Sequence, residues 1–487
     1  MKVKNSWHRP QIIVVTALIA VGIIIMVAIA VVQHKPLHQK YKYGIVLDAG
    51  SSHTSVYIYE WPAEKENNTG MVQQKHSCNV KGKGISSYSG TPHKAGESLK
   101  DCMDEAKKII PNHRHRETPV YLGATAGMRL LKMDNYTASE KVLKSVETFL
   151  QTYPFSYEGA RIISGQEEGA FGWITVNYLS DNFRKASGTM GALDLGGAST
   201  QITFVSGQEM ESPDNSIDFR LYGNDYHLYT HSFLCYGKDQ VLKLSLEKQI
   251  EPKLDMTDNI ILEDPCFHPG YNVNKSFQSV FDSPCVKKIT SNFTHKGLGE
   301  WNKCHKAIKK VFNTTCIYSR CSFNNIFQPP VKGGFGAFSA YFFVMNFLNL
   351  TNLNLDEAKK RLETYCNTSW DTLKEKHPSV KEKYLAEYCF SGTYIITLLE
   401  DRYNFTNKTW NNINFIKKIG DSEAGWTLGY MLNLTNMIPA EAPETPLLPY
   451  GGYVTLMLIL SLLIFVFFIL GYIFFRRPSG STHKVII

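Results

Sequence analysis

One pattern occurs twice in this chain and restricts its fold more than any other feature. Ile45-Val-Leu-Asp48-Ala-Gly50-Ser-Ser-His-Thr54-Ser-Val-Tyr-Ile58 is matched 146 residues later by Gly191-Ala-Leu-Asp194-Leu-Gly196-Gly-Ala-Ser-Thr200-Gln-Ile-Thr-Phe204. Each copy reads as an apolar strand, an aspartate, a glycine turn and a returning strand, which is a hairpin signal. The spacing is too wide for a solenoid and suits two duplicated α/β lobes. Glycine lets the backbone approach a ligand closely, and successive N–H groups in such a turn form a nest for phosphate oxygens. Asp48 and Asp194, at the strand ends, are placed to hold a hard cation directly or through water. Mg²⁺ usually keeps several waters and shares its shell with phosphates. Two such turns facing each other clamp a polyphosphate from both sides.

A third segment is Ile163-Ser-Gly165-Gln-Glu167-Glu168-Gly169-Ala170. Two adjacent carboxylates occupy a glycine-flanked turn ahead of an apolar helix expected over 171–179. Read from the residues alone, they serve either as a general base acting on water or as acidic residues stabilising a helix N-terminus.

The ends of the chain differ from its middle. Residues 11–32 and 453–475 carry no charge and are each long enough to cross a bilayer. The first run lacks a small-residue cleavage site and reads as a retained anchor. Arg476 and Arg477 follow the second run, which puts the tail in the cytosol. All ten cysteines lie between Cys78 and Cys389, an even count in one segment, as disulfides in an oxidising compartment require. Ten Asn-x-Ser/Thr sequons, from Asn67 to Asn433, lie between the two runs and fit a glycosylated ectodomain. The net charge of +8 is mostly topological: six Lys/Arg and no Asp/Glu sit in residues 1–33 and 453–487, leaving 46 basic and 44 acidic residues between. That balance gives no reason to expect nucleic acid as a partner.

Between the runs, residues 34–42 read as a polar stalk and 62–94 as polar and turn-rich. Tyr43–Asp48 and Val56–Tyr59 read as paired strands, and Val120–Thr125 as another strand and turn. Helical spacing appears over Glu97–Ile110 and Ser139–Leu150. Residues 438–449 are proline-rich and read as a linker.

The chain resembles the ectonucleoside triphosphate diphosphohydrolases, the ecto-apyrases. The resemblance is carried by Asp48-Ala-Gly-Ser-Ser-His-Thr54, Gly123-Ala-Thr-Ala-Gly-Met-Arg129, Gly165-Gln-Glu-Glu-Gly169, Leu193-Asp-Leu-Gly-Gly-Ala-Ser-Thr-Gln201 and Gly425-Trp-Thr-Leu-Gly-Tyr430. Thr230–Gln240 and Glu387–Tyr394 are similar to the vascular and lymphoid branch. The resemblance implies an α/β fold of two ribonuclease-H-like lobes, as in actin, sugar kinases and heat-shock ATPases. It implies lobe I over 43–164 and 418–448, lobe II over 165–417, transmembrane helices at both ends, and cytosolic segments 1–10 and 476–487.

It further implies a plasma-membrane enzyme that hydrolyses extracellular ATP and ADP with Ca²⁺ or Mg²⁺. Glu168 corresponds to the catalytic base, and Ser199 and Gln201 to residues that align the attacking water. Asp48 and Asp194 correspond to the residues that hold the metal through water. Phosphate contacts map to Ser51, Ser52, His53, Thr125, Ala126, Gly196, Gly197 and Ala198. An aromatic sandwich around the base maps to Phe343 and Trp426, with Lys238 nearby; from the residues alone, Phe343 reads as core. The implied disulfides are Cys78–Cys102, Cys235–Cys285, Cys266–Cys304, Cys316–Cys321 and Cys366–Cys389. The transmembrane helices also offer a route to homo-oligomers. Competing readings are a preferential nucleoside diphosphatase and a surface adhesion or receptor protein with a weak site. The final Val485-Ile-Ile487 resembles a PDZ ligand, against an unstructured tail end.

Overall fold

The computed structural model describes residues 10–34, 40–65, 67–185, 188–254, 260–276, 280–287, 292–441, 446 and 448–476. The PDZ-like tail end lies outside them, as does part of the expected stalk and linker. The chain forms two units, one of residues 41–440 and one of residues 1–40 with 441–487.

The second of these units contains two helices, Pro10–Gln33 and Tyr450–Arg476, both long and apolar enough to cross a membrane. Each extends a few residues past the uncharged run read from the sequence. They lie antiparallel: a Cβ at Gly22 would stand 3.0 Å from Ile464, and one at Gly471 would stand 3.2 Å from Val15. At the other end Gln33 Nε2 donates to the Leu448 carbonyl at 2.8 Å. Glycine lets the two backbones approach closely, as helix pairs in lipid require.

The larger unit is built on two sheets with one plan. In the first, β1 (Tyr41–Ala49), β2 (Thr54–Pro62) and β3 (Gln73–Asn79) are antiparallel, and β4 (Pro119–Ala124) and β5 (Ser156–Ile162) run parallel to β1, in the order β3-β2-β1-β4-β5. The second contains β6 (Gly191–Leu195), β7 (Ser199–Val205), β8 (Ser216–Leu221), β9 (Asn224–Leu234), β13 (Phe335–Ser339) and β14 (Ile413–Phe415). Their order is β14-β13-β6-β7-β9-β8, with β6, β7 and β9 antiparallel and β13 and β14 parallel to β6. Superposing β6 on β1 reproduces the same topology with β8 added at the edge, so the duplicated hairpins are the duplicated centres of two ribonuclease-H-like lobes. A small sheet of β10 (Ile260–Asp264), β12 (Phe293–Gly297) and β11 (Asn272–Lys275) is inserted after β9.

β1 alternates as a strand buried on both faces must. Ile45, Leu47 and Ala49 enter the core of the first lobe, while Val46 enters a separate core shared by both lobes. That shared core holds two helices. Gly165–Leu179 follows β5 yet packs on β6, β7 and β9, and Trp426–Leu434 follows β14 yet packs on β1 and β2. The helices cross each other where Gly429 meets Phe171: a Cβ on Gly429 would stand 2.0 Å from the Phe171 carbonyl oxygen. The five disulfides are Cys78–Cys102, Cys235–Cys285, Cys266–Cys304, Cys316–Cys321 and Cys366–Cys389.

Three local expectations change. The stalk ends earlier, because Tyr41 and Lys42 already pair with Pro62 and Trp61. The turn-rich stretch 62–94 contains β3, a polar edge strand without an apolar alternation to reveal it. The helix expected over Glu97–Ile110 is two, His93–Glu97 and Lys100–Ile109.

Candidate active site

Both repeats end their first strand at the same place. Asp48 and Asp194 are the penultimate residues of β1 and β6, opposite Ser55 and Gln201 on the returning strands. The turns after them meet: a Cβ on Gly197 would lie 2.8 Å from Ser51 Oγ. A side chain there would push the Ser51 hydroxyl and the Asp239 carboxylate aside, so the bare glycine puts the turn of one lobe against the turn of the other.

The second turn is held from behind. Lys238 N–H donates to the Gly196 carbonyl at 2.9 Å, and Asp239 and Gln240 N–H donate to the Gly197 carbonyl at 2.9 and 3.2 Å. These donors are the first amides of the helix Lys238–Ile250. Because C=O and N–H oppose each other across a trans peptide, the N–H groups of Gly197 and Ala198 turn the other way. In the first turn Ala49 O accepts from Thr125 N–H at 3.1 Å and Ser52 O from Gly84 N–H at 3.1 Å. Thr125 and Ala126, which start the helix Ala126–Asp134, are thereby tied to it. Ser52 and His53 are exposed at the turn, with Ser52 Oγ 2.9 Å from His53 Nδ1.

The carboxylate pair 167–168 divides between its two readings. The helix starts at Gly165, so both glutamates lie in its first turn rather than ahead of it. Ser164 and Glu167 form a capping box, with Ser164 N–H on Glu167 Oε2 at 2.8 Å and Glu167 N–H on Ser164 Oγ at 3.1 Å. Arg161 adds a two-pronged contact to Glu167 at 3.0 and 2.9 Å. Glu167 is therefore structural. Glu168, one position on, points inward and is 7% exposed.

Glu168 accepts from Arg129 and, at 3.1 Å, from Gln201 Nε2. The same Gln201 nitrogen lies 2.8 Å from Ser199 Oγ and 2.8 Å from Ser232 Oγ. Glycines bring the helix this close. A Cβ on Gly169 would stand 2.6 Å from Thr203 Oγ1, and one on Gly165 would stand 2.2 Å from Ser232 Cβ.

Three acids converge here. Burial first, then the Glu168 charge, pushes Asp48 up to about 8; the Trp426 N–H opposes this and Asp194 adds to it. Asp194 is pushed up to about 7 by burial and by Glu168, against N–H and O–H donors at Leu195 and Ser339. Burial also raises Glu168, offset in part by Arg129. Asp48 Oδ1 is sealed from solvent without a hydrogen-bond partner, and the Trp426 indole N–H that faces the carboxyl stops short of bonding it. An orphaned buried carboxylate oxygen beside two more acids is the environment a divalent cation relieves. Among the described residues no three His, Cys, Asp or Glu side chains enclose a cation directly. Asp48 and Asp194 nevertheless offer buried carboxylate oxygens of the kind a hard divalent cation takes.

The expected base-binding residues are arranged unequally. Phe343 is 54% exposed, with the Lys417 ammonium 5.9 Å from its ring centre, so it is not core. Trp426 is 3% exposed and fills the space that a side chain at Gly123 would need, with 2.3 Å from that Cβ position to its ring. It shapes the floor under Asp48 rather than offering an open ring. Lys238 is held by Asp239 at 2.6 Å and Glu387 at 3.0 Å. Four participants were not singled out from the sequence: Arg129, Ser232, Ser339 and Asp239. Arg129, Ser232 and Asp239 do stand inside quoted family stretches. Ser339, with φ of 57°, has no local signature.

The GDA1/CD39 (nucleoside phosphatase) family matches residues 34–447. Ectonucleoside triphosphate diphosphohydrolase 1 of Mus musculus is 48% identical over 98% of this chain and 97% of its own length. Ectonucleoside triphosphate diphosphohydrolase 2 of Gallus gallus is 44% identical over 91% and 93%. Among solved structures, a nucleoside triphosphate hydrolase from Neospora caninum aligns with a TM-score of 0.61, at 14% identity, over 87% of this chain and 97% of that one. That likeness supports the two-lobe fold. A family match across most of the sequence and near-complete relatives of this identity agree with the two meeting turns: the chain belongs to the GDA1/CD39 (nucleoside phosphatase) family.

Proposed function

We propose that this chain is an apyrase of the plasma membrane that hydrolyses extracellular nucleoside tri- and diphosphates, ATP and ADP, to the monophosphate and phosphate. The observation that carries the reading is the placement of Glu168. It faces Asp48 and Asp194 between two glycine turns and is tied to Gln201 at 3.1 Å.

The turns bind the phosphate chain. N–H groups of Gly197 and Ala198, with Ser51, Ser52, His53, Gly196, Thr125 and Ala126 around them, hold the phosphate oxygens from both lobes. Asp48 and Asp194 would hold the divalent cation, Ca²⁺ or Mg²⁺, through water, and such a cation would supply neutralisation of phosphate charge. Ser199 and Gln201 align a water, and Glu168 Oε takes its proton as the water oxygen attacks the terminal phosphorus. The bond from the terminal phosphorus to the bridging oxygen breaks, the shortened nucleotide leaves with that oxygen, the terminal group departs as phosphate, and no phosphoenzyme forms. Positioning and fixed charge supply most of the acceleration in phosphoryl transfer. Phe343 offers an open face for the nucleobase, and Lys238 and Trp426 complete the base-binding set that the family resemblance implies.

Lobe I comprises 43–164 and 418–448, and lobe II 165–417; the crossed helices of the shared core join them. An antiparallel pair of spans puts both termini on one side. Arg476 makes that side the cytosol, and the disulfides and sequons put the lobes outside. Glu168→Gln is expected to lower kcat for ATP and ADP by about a thousandfold, within the range for a lost general base. Nucleotide binding is retained. Phosphate release from intact cells, with trapping of labelled nucleotide, is the measurement; near-normal turnover in this variant rejects the reading.

A further inference from the structure

We propose that Ser232 is a positioning residue for hydrolysis, holding Gln201 and Arg129 in the orientation that presents Glu168 to the attacking water. The inference rests on Glu168 acting as the base. Ser232 lies on β9 directly opposite Gln201 on β7. Opposed residues of an antiparallel pair project on one face with their side chains adjacent. Its hydroxyl oxygen is 2.8 Å from Gln201 Nε2 and 3.3 Å from Arg129 Nη1. Both donors also bond Glu168. The contacts therefore close a ring of four side chains, Ser232–Gln201–Glu168–Arg129, in which each member fixes the next.

The ring decides which way the Gln201 amide faces. A carboxylate only accepts, so Glu168 requires the amide nitrogen on its side. Gln201 Oε1 then faces away from the ring, free to accept from a water. Two N–H groups serve three acceptors, Glu168, Ser199 and Ser232. Without the Ser232 oxygen the amide is free to turn toward Ser199, and Arg129 keeps its Nη2 bond to Glu168 but loses the Nη1 bond that fixes its plane. The backbone reserves the space: a Cβ on Gly165 would stand 2.2 Å from Ser232 Cβ and 2.8 Å from Arg129 Nη1. Gly165 thus lets the helix carrying Glu168 reach the ring.

The test uses the full chain in cell membranes, with Mg-ATP and Mg-ADP. Ser232→Ala is expected to lower kcat about 10- to 100-fold, the scale of a roughly 1 Å misplacement, with KM changed less than about twofold. Ser232→Cys keeps a γ atom in place but weakens the acceptor, and is expected to match Ser232→Ala. In a Gln201→Ala background, Ser232→Ala is expected to cost less than about threefold more, since the two act through one ring. Wild-type kcat in either serine variant, a loss confined to KM, or an undiminished loss in the Gln201→Ala background overturns the proposal. Should the alanine variant not reach the surface, the cysteine variant decides alone. Glu168→Gln run alongside separates the two levels. If it is inactive while the serine variants match wild type, only the role of Ser232 fails; if it turns over normally, the reading of the base fails first.

Discussion

Glu167 and Glu168 are neighbours of the same chemistry with opposite fates. Helical geometry turns successive residues by about 100°, so one reaches the cap and Arg161 while the other reaches Arg129, Gln201 and the two aspartates. From the residues alone the choice between helix stabiliser and base was not legible, because it depends on where the helix begins and what it packs on; only the family resemblance pointed to Glu168. Arg129 makes the point sharper. Its pair with Glu168 is largely buried, at 15% and 10% side-chain exposure. Removing one partner of a buried pair leaves an uncompensated charge, at a cost of about 3–5 kcal/mol. Arg129→Met is expected to lose stability on that scale. Arg129→Met/Glu168→Gln should recover a substantial part of it, as read by thermal unfolding of the two variants side by side.

At the scale of elements, the site depends on where helices touch. Gly165, Gly169 and Gly172 form one face of the helix Gly165–Leu179, and Cβ atoms there would meet Ser232, Thr203 and Phe338 within 3 Å. The crossing with Trp426–Leu434 adds Gly429, whose N–H bonds Thr175 Oγ1 at 2.8 Å. Propensity alone favours Gly429→Ala by up to about 1 kcal/mol. The 2.0 Å approach to the Phe171 carbonyl opposes it with backbone rather than a flexible side chain, and overpacking costs about 1–3 kcal/mol. Gly429→Ala is therefore expected to be destabilising, and a lower melting temperature with reduced kcat is the outcome to look for. The hairpins were legible because a strand, turn and strand signal is local. β3 was not, since it is a polar edge strand set by its pairing with β2 and not by an apolar alternation of its own.

At the scale of the whole molecule, three acids gather where the lobes meet, and the consequence is a dependence on pH and metal. Unfolded, Asp48 and Asp194 release their protons near 3.8; folded, they keep them to about 8 and about 7. Across that interval the folded protein binds more protons than the unfolded chain, so stability falls as pH rises. In chelator, the melting temperature is expected to drop progressively between about pH 4 and pH 8. Saturating Mg²⁺ should flatten that drop, because a cation that favours the ionised acids replaces the protons. A scan of melting temperature against pH with and without Mg²⁺ checks this, and EDTA should abolish phosphate release. A chelator-treated protein whose stability rises over that range would contradict the burial of these acids.

By itself the sequence determined the duplicated α/β plan, the two apolar spans and the oxidised, sequon-bearing middle. Each of these is written in short stretches whose pattern forces one backbone solution: strand, glycine turn, strand, or an uncharged run longer than a bilayer is thick. Only the tertiary structure decided that the two turns meet at Gly197 and Ser51, and it supplied the reason that Glu168, the residue the family resemblance pointed to, enters the site while Glu167 does not. It also placed Trp426 beneath Asp48 and Ser232 in the ring around the base. These are contacts between segments tens to hundreds of residues apart, fixed by which helix packs on which sheet, and no local pattern encodes that distance.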